Sequence, residues 1–101
     1  GELWAPTIID LEAMSALWRL VRTGEISAAE AERALRLSRS APIRRIGDEA
    51  IAAEAWTLRA SVRISDAFYI ATARLLDADL VTSDARLSRA PALGVTIVLL
   101  R

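Results

Sequence analysis

The chain has 101 residues, 53% of them hydrophobic, and 13 basic residues balance 13 acidic ones; this bounds it to one domain with a single core, and the net charge points to no nucleic-acid partner. It contains neither Cys nor His, which excludes disulfides, thiol nucleophiles, an imidazole base and zinc sites of the Cys/His kind. Any catalysis must run on carboxylates, hydroxyls, guanidinium groups, Tyr69 and a bound metal.

Every basic residue is Arg, a bias that GC-rich coding explains alongside the abundance of Ala. No apolar run approaches the roughly 18 residues of a membrane span. The opening GELWAP has neither the basic nor the apolar part of a signal peptide, so no membrane and a cytoplasmic location are expected.

The first predicted element is a helix from about Thr7 to Arg22, with no strand ahead of it. Thr7 and Asp10 have the spacing of a capping box, and Gly24 closes the helix after Thr23. Ile9, Ala13, Ala16, Leu17 and Leu20 recur at helical spacing and form its core stripe. Glu12 lies near the edge of that stripe, on a face with Ile8, Ser15 and Arg19.

A second capping box, Ser27 with Glu30, announces a helix to about Arg39, with Ala31, Ala34 and Leu35 inward and Arg33, Arg36 and Arg39 on a solvated face. Pro42 ends it, and Ile43 to Ile46 alternates apolar and Arg side chains as a short strand. Gly47 and Asp48 turn into a third helix, Glu49 to Arg59, with Ile51, Ala55 and Leu58 inward. A buried helix from Asp66 to about Leu76 follows, then a strand over Leu80 to Thr82, one or two helical turns over Ala85 to Arg89, and a buried strand over Val95 to Leu100. Trp4, Trp18 and Trp56 are read as core or interface residues rather than base-stacking platforms.

The run from Ile64 to Asp84 organises the rest. It places Asp66 where a helix begins and Asp84 just past the end of a strand. Functional groups of open α/β sheets gather beyond the carboxyl ends of strands, and two acids meeting there suit a hard cation. Taken alone, each acid has a plainer reading: Asp66 as a cap or dipole partner, Asp84 as a cap of the next turn, Glu12 as a partner of Arg19. Asp77 and Asp79 read as turn residues.

The run LWAPTIIDLEAMSALWRLVRTGEISAAEAERAL, the PIRR segment, the pairing of Trp56 with Arg59, and SDAFYIATARLLDADLVTSDARLSRA together resemble the PIN-domain family, and most closely the VapC-type toxins of bacterial toxin-antitoxin pairs. The family's Pro-x-x-x-x-x-Glu helix falls on Pro6 and Glu12. Its Asp-Ala falls on Asp66 and Ala67, and its Thr-x-Asp on Thr82 and Asp84. The family's first acid, an Asp ending an opening strand, would lie upstream of Gly1. Trp4 stands where the family often has His, and Ile64 and Ser65 replace its usual Thr/Tyr context.

The resemblance implies one three-layer α/β PIN-like domain over residues 1–101, with a short parallel sheet flanked by helices and lacking the opening central strand. It implies an endoribonuclease in which carboxylate-bound Mg²⁺ or Mn²⁺ activates water. Asp66 and Asp84 would ligate metal, Glu12 would take an outer-sphere or second-metal role, and Thr82 or Ser83 would orient a carboxylate. Arg74, Arg86 and Arg89 would contact RNA phosphates. A cognate antitoxin and a homodimer are the implied protein partners. Without its first acid the chain is expected to be inactive. The alternative is a catalytically dead remnant that binds antitoxin or dimerises.

Overall fold

A computed structural model describes residues 3–82 and 94–99. The expected helical turns over Ala85 to Arg89, with Ser83, Asp84, Arg86 and Arg89, lie outside the described residues. The chain divides into two compact units, Gly1–Arg45 and Ile46–Arg101. Each has its own packing logic.

The first unit contains β1 (Leu3–Pro6), α1 (Ile8–Arg22), α2 (Ala28–Ser40) and β2 (Ile43–Ile46), whose last residue opens the second unit; β1 pairs with β2 in a two-stranded sheet. The sequence predicted no strand before the first helix. Leu3–Pro6 is one nonetheless: Pro6 lacks a backbone donor and is tolerated where a strand ends, and Ala5 and Pro6 are buried.

On α1 the predicted stripe is right in period. Ile9, Ala13, Ala16, Leu17 and Leu20 are half-buried, whereas Leu11, Met14 and Trp18 are exposed. The predicted capping box at its start is not formed. Thr7 has helical backbone angles and its side chain caps nothing, while Asp10 reaches Arg45 of β2 instead. An ion pair with a guanidinium outcompetes a local cap for that carboxylate. At the other end Gly24, at φ +79°, turns the chain in the left-handed region, and Glu25 N donates to Leu20 O at 2.9 Å. The box on α2 forms as predicted: Glu30 N donates to Ser27 Oγ and Ser27 N to Glu30 Oε1, each at 3.0 Å. The Ser27 backbone N–H and then its hydroxyl, both beside the Glu30 carboxylate, hold that carboxyl below its usual range.

The second unit contains α3 (Asp48–Trp56), α4 (Ile64–Leu75), β3 (Leu80–Thr82) and β4 (Ile97–Leu99). Its core joins Ile51, Ala55 and Leu58 to Ala67, Ile70, Ala71, Ala73 and Leu80, with Ile46, Val62, Phe68, Tyr69, Val95 and Ile97 packed around them. Alanine at 55, 67, 71 and 73 lets backbones approach closely. Thr72 is buried because its hydroxyl donates to Phe68 O at 2.8 Å within the helix.

The boundaries around the link from α3 to α4 differ from expectation. α3 ends at Trp56 rather than Arg59, and α4 starts at Ile64, two residues before Asp66, with Arg63 as its N-cap. Asp77, at φ +50°, closes α4, and Ala78 N donates back to Ala73 O at 2.9 Å; Asp tolerates this left-handed position.

β3 and β4 are parallel, with Leu80 opposite Ile97, Val81 opposite Val98 and Thr82 opposite Leu99. The last strand was expected to be buried throughout. Of its described side chains Ile97 is half-buried and Val98 exposed, because alternation sends Leu80 and Ile97 to the core side and leaves Val81 and Val98 outside. With four helices and short parallel strands among the described residues, the chain is an α/β protein. No helix among those residues is long and apolar enough to cross a membrane.

Candidate metal and nuclease site

Asp66 is the third residue of α4. It is therefore not the helix cap. The first-turn position favours a carboxylate through the positive end of the helix dipole, but Asp66 is half-buried and makes no hydrogen bond or ion pair among the described residues. Neither of its oxygens is sealed from solvent, so water can serve them; the buried side-chain oxygen left without a partner among the described residues is Asp48 Oδ1.

The surroundings fix the end of the sheet at which α4 finishes. α4 packs on β3 and is joined to it by residues 76–79, so helix and strand run in opposite directions. Ala73 and Arg74, from the last turn of α4, line a cleft of about 540 Å³ with Asp79, just before β3, and Gly94 to Thr96, just before β4. The end of α4 thus lies at the amino ends of both strands. Asp66, eight residues before Arg74, stands at the end of α4 away from that cleft. Asp84 follows Thr82, the last residue of β3, by two residues in sequence and falls outside the described residues, as does Ser83; nothing is described of the Thr82 side chain.

Glu12 is half-buried in the second turn of α1, in the first unit. Its neighbour Asp10 is committed elsewhere: Arg45 donates through Nη2 to Oδ1 at 2.8 Å and through Nε to Oδ2 at 3.3 Å. That fork-on-fork contact holds the Asp10 carboxyl below its usual range and raises Arg45. Arg45 is itself held by donating to Ile43 O.

Arg74 stands in the last turn of α4, about 12 Å along the helix from Asp66 at 1.5 Å per residue. Its Nη1 donates to Glu54 Oε1 at 3.0 Å. The guanidinium also lies 3.5 Å from where a side chain at Gly94 would begin, and Gly94 itself adopts φ +76°. Among the described residues no three acidic side chains converge on one point.

The PIN domain pattern matches residues 1–93. The chain belongs to the PIN domain family. Its relatives include Ribonuclease VapC3 of Mycobacterium tuberculosis, 38% identical over 86 residues, which are 85% of this chain and 63% of that protein. Ribonuclease VapC1 of the same species is 39% identical over 98 residues, 96% of this chain and 74% of the relative. VapC ribonuclease Mb0985 of Mycobacterium bovis is 36% identical over 86 residues, covering 85% and 68% respectively. The PIN chain therefore spans less than two thirds of the length of VapC3.

Sequence reasoning passed over one feature of this PIN chain. Trp56, expected in a core or an interface, is 61% exposed, which removes it from the core and leaves the interface reading open, and the Arg59 guanidinium sits 4.6 Å from its ring centroid. Trp18 is likewise 62% exposed. The signal was present in the spacing: Trp56 falls outside the inward stripe of Ile51, Ala55 and Leu58.

Proposed function

We propose that this chain, as one PIN domain, is a metal-dependent endoribonuclease of the VapC toxin type. The observation that supports the reading is Asp66: a half-buried carboxylate with no hydrogen bond or ion pair among the described residues, at the end of α4 away from the cleft beside β3 and β4, in a PIN chain similar to named ribonucleases. The donor chemistry fits Mg²⁺ or Mn²⁺, hard ions that take carboxylate oxygen and keep several waters. In this reading Asp66 and Asp84 hold the ion, and Glu12 acts in its outer sphere or on a second ion. When bound, the ion supplies an acidified water and a counter-charge for the phosphodiester oxygens.

The chain's own residues do the rest. Thr82 and Ser83 orient the carboxylates by hydrogen bonding, and Arg86 and Arg89 neutralise phosphates that flank the cleaved bond, with Arg74 a more distant candidate. The protein works in the cytoplasm as a homodimer restrained by an antitoxin. Support for a protein partner comes from the first unit, where Leu11, Met14 and Trp18 form an exposed apolar stripe on α1. Beside it lies a groove of about 260 Å³ lined by Leu17, Val21, Ala31 and Leu35.

Manganese binding tests the metal assignment directly. Paramagnetic resonance of free Mn²⁺ is expected to show uptake by the chain, and Asp66→Asn or Asp84→Asn to weaken it by about tenfold or more. Equal uptake by the parent chain and both variants would remove the assignment.

A further inference from the structure

The turns after α3 continue its helical rotation. Ser61 N donates to Leu58 O at 2.9 Å and Val62 N to the same oxygen at 3.2 Å. Leu58 is buried and Val62 half-buried, which extends the inward stripe of Ile51 and Ala55. Trp56, Arg59 and Arg63 are all exposed, and Trp56 and Arg59 share one side of these turns. Arg59 is held over the Trp56 indole, 4.6 Å from the ring centroid, by donating from Nη1 to Trp56 O at 2.9 Å. Arg63 is the N-cap of α4, three residues before Asp66.

We propose that Trp56, Arg59 and Arg63 form a track for single-stranded RNA leading to Asp66. An unpaired base stacks on the indole, and the two guanidinium groups neutralise the phosphates between that base and the metal site. This inference rests on the ribonuclease reading given above. The chemistry favours RNA over a protein partner. A tryptophan that anchors a protein interface is ringed by large apolar residues, whereas the exposed residues near Trp56 in sequence are Ala52, Ala53, Thr57, Ala60, Ser61, the two arginines and Ile64, and the contact made by its ring is with the Arg59 guanidinium. Base stacking on an exposed aromatic needs no such ring, and a cation already placed against the indole suits a polyanion. Two Arg side chains between platform and carboxylate also offset the repulsion that Asp66 exerts on a phosphate.

The test measures binding and cleavage separately with the 101-residue chain. Binding of a short, labelled single-stranded oligoribonucleotide is followed by anisotropy with chelator present; cleavage of the same strand is followed with Mn²⁺. Trp56→Ala is expected to weaken binding about tenfold, and Trp56→Phe to recover most of it. Arg59→Ala is expected to weaken binding and to reduce the salt slope by about one phosphate contact. Asp66→Asn is expected to bind and not to cleave. Circular-dichroism melts of Trp56→Phe and Trp56→Ala that match the parent chain exclude misfolding. If the parent chain cleaves, Asp66→Asn does not, and Trp56→Ala binds as tightly as the parent, the track is wrong and the ribonuclease reading stands. Unchanged RNA affinity together with an altered sedimentation coefficient in Trp56→Ala makes Trp56 a protein contact and also overturns the track. A parent chain that neither binds nor cleaves RNA removes both.

Discussion

Glu54 and Arg74 tie α3 to the last turn of α4 through a 3.0 Å ion pair, at the end of α4 away from Asp66. The helix therefore has two chemically different ends. One carries a carboxylate that makes no hydrogen bond or ion pair among the described residues, and the other a guanidinium engaged by Glu54 and laid against Gly94.

The first prediction concerns that pair. Both side chains are partly exposed, so Arg74→Ala is expected to cost no more than about 1 kcal/mol in denaturant unfolding. A double-mutant cycle with Glu54→Gln should assign most of the loss to the pair. RNA affinity is expected to change less in Arg74→Ala than in Arg59→Ala; the reverse order would make Arg74 a phosphate contact in its own right.

The second prediction concerns acid. Asp10 is paired with Arg45, which makes its carboxyl a stronger acid in the folded chain than in the unfolded one. The unfolded chain then binds more protons as pH falls, so stability is complete above the ordinary aspartate value of about 4 and is lost as pH drops through the lower, folded value. Asp10→Asn should melt at a lower temperature near neutrality, and its deficit relative to the parent chain should shrink in that acid window. A deficit that stays constant with pH would contradict the pairing.

A third prediction tests the core that positions Asp66. Ile70 is fully buried one turn after Asp66, among Ile51, Ala55 and Ala67. Ile70→Ala is expected to destabilise by about 3 kcal/mol and Ile70→Val by about 1 kcal/mol. Urea unfolding reads both; equal, small losses would mean that this helix face is not the core.

The local signals in the sequence were sound where short-range chemistry decides the outcome. Ser27 and Glu30 cap α2 because no distant group competes for them. Gly24 ends α1 because only a residue free to take φ +79° turns the chain there. The same reasoning failed at Asp10, where a guanidinium from β2, distant in sequence, claims the carboxylate. It also failed at Leu3–Pro6, whose strand exists through pairing with β2 rather than through any propensity of its own. Periodicity located the inward faces of α1, α2 and α3, but it did not convert a hydrophobic residue type into burial. Trp18 and Trp56 are exposed because each falls outside the inward stripe of its helix. For the candidate site, spacing and family resemblance singled out Asp66, and its lack of a partner was legible only in three dimensions.

The most direct measurement is cleavage of a labelled RNA by the 101-residue chain with Mg²⁺, with Mn²⁺ and with chelator, comparing the parent with Asp66→Asn, Asp84→Asn and Asp10→Asn. With an Asp-bearing strand restored ahead of Gly1, metal-dependent cleavage that falls at least about a hundredfold in the first two variants and survives in the third is the expected result, since Asp10 serves Arg45 and not the reaction; the 101-residue chain alone, expected to be inactive, is the baseline. Cleavage that persists in chelator, or that is indifferent to both Asp66→Asn and Asp84→Asn, would contradict the assignment of these carboxylates to a metal-dependent ribonuclease site.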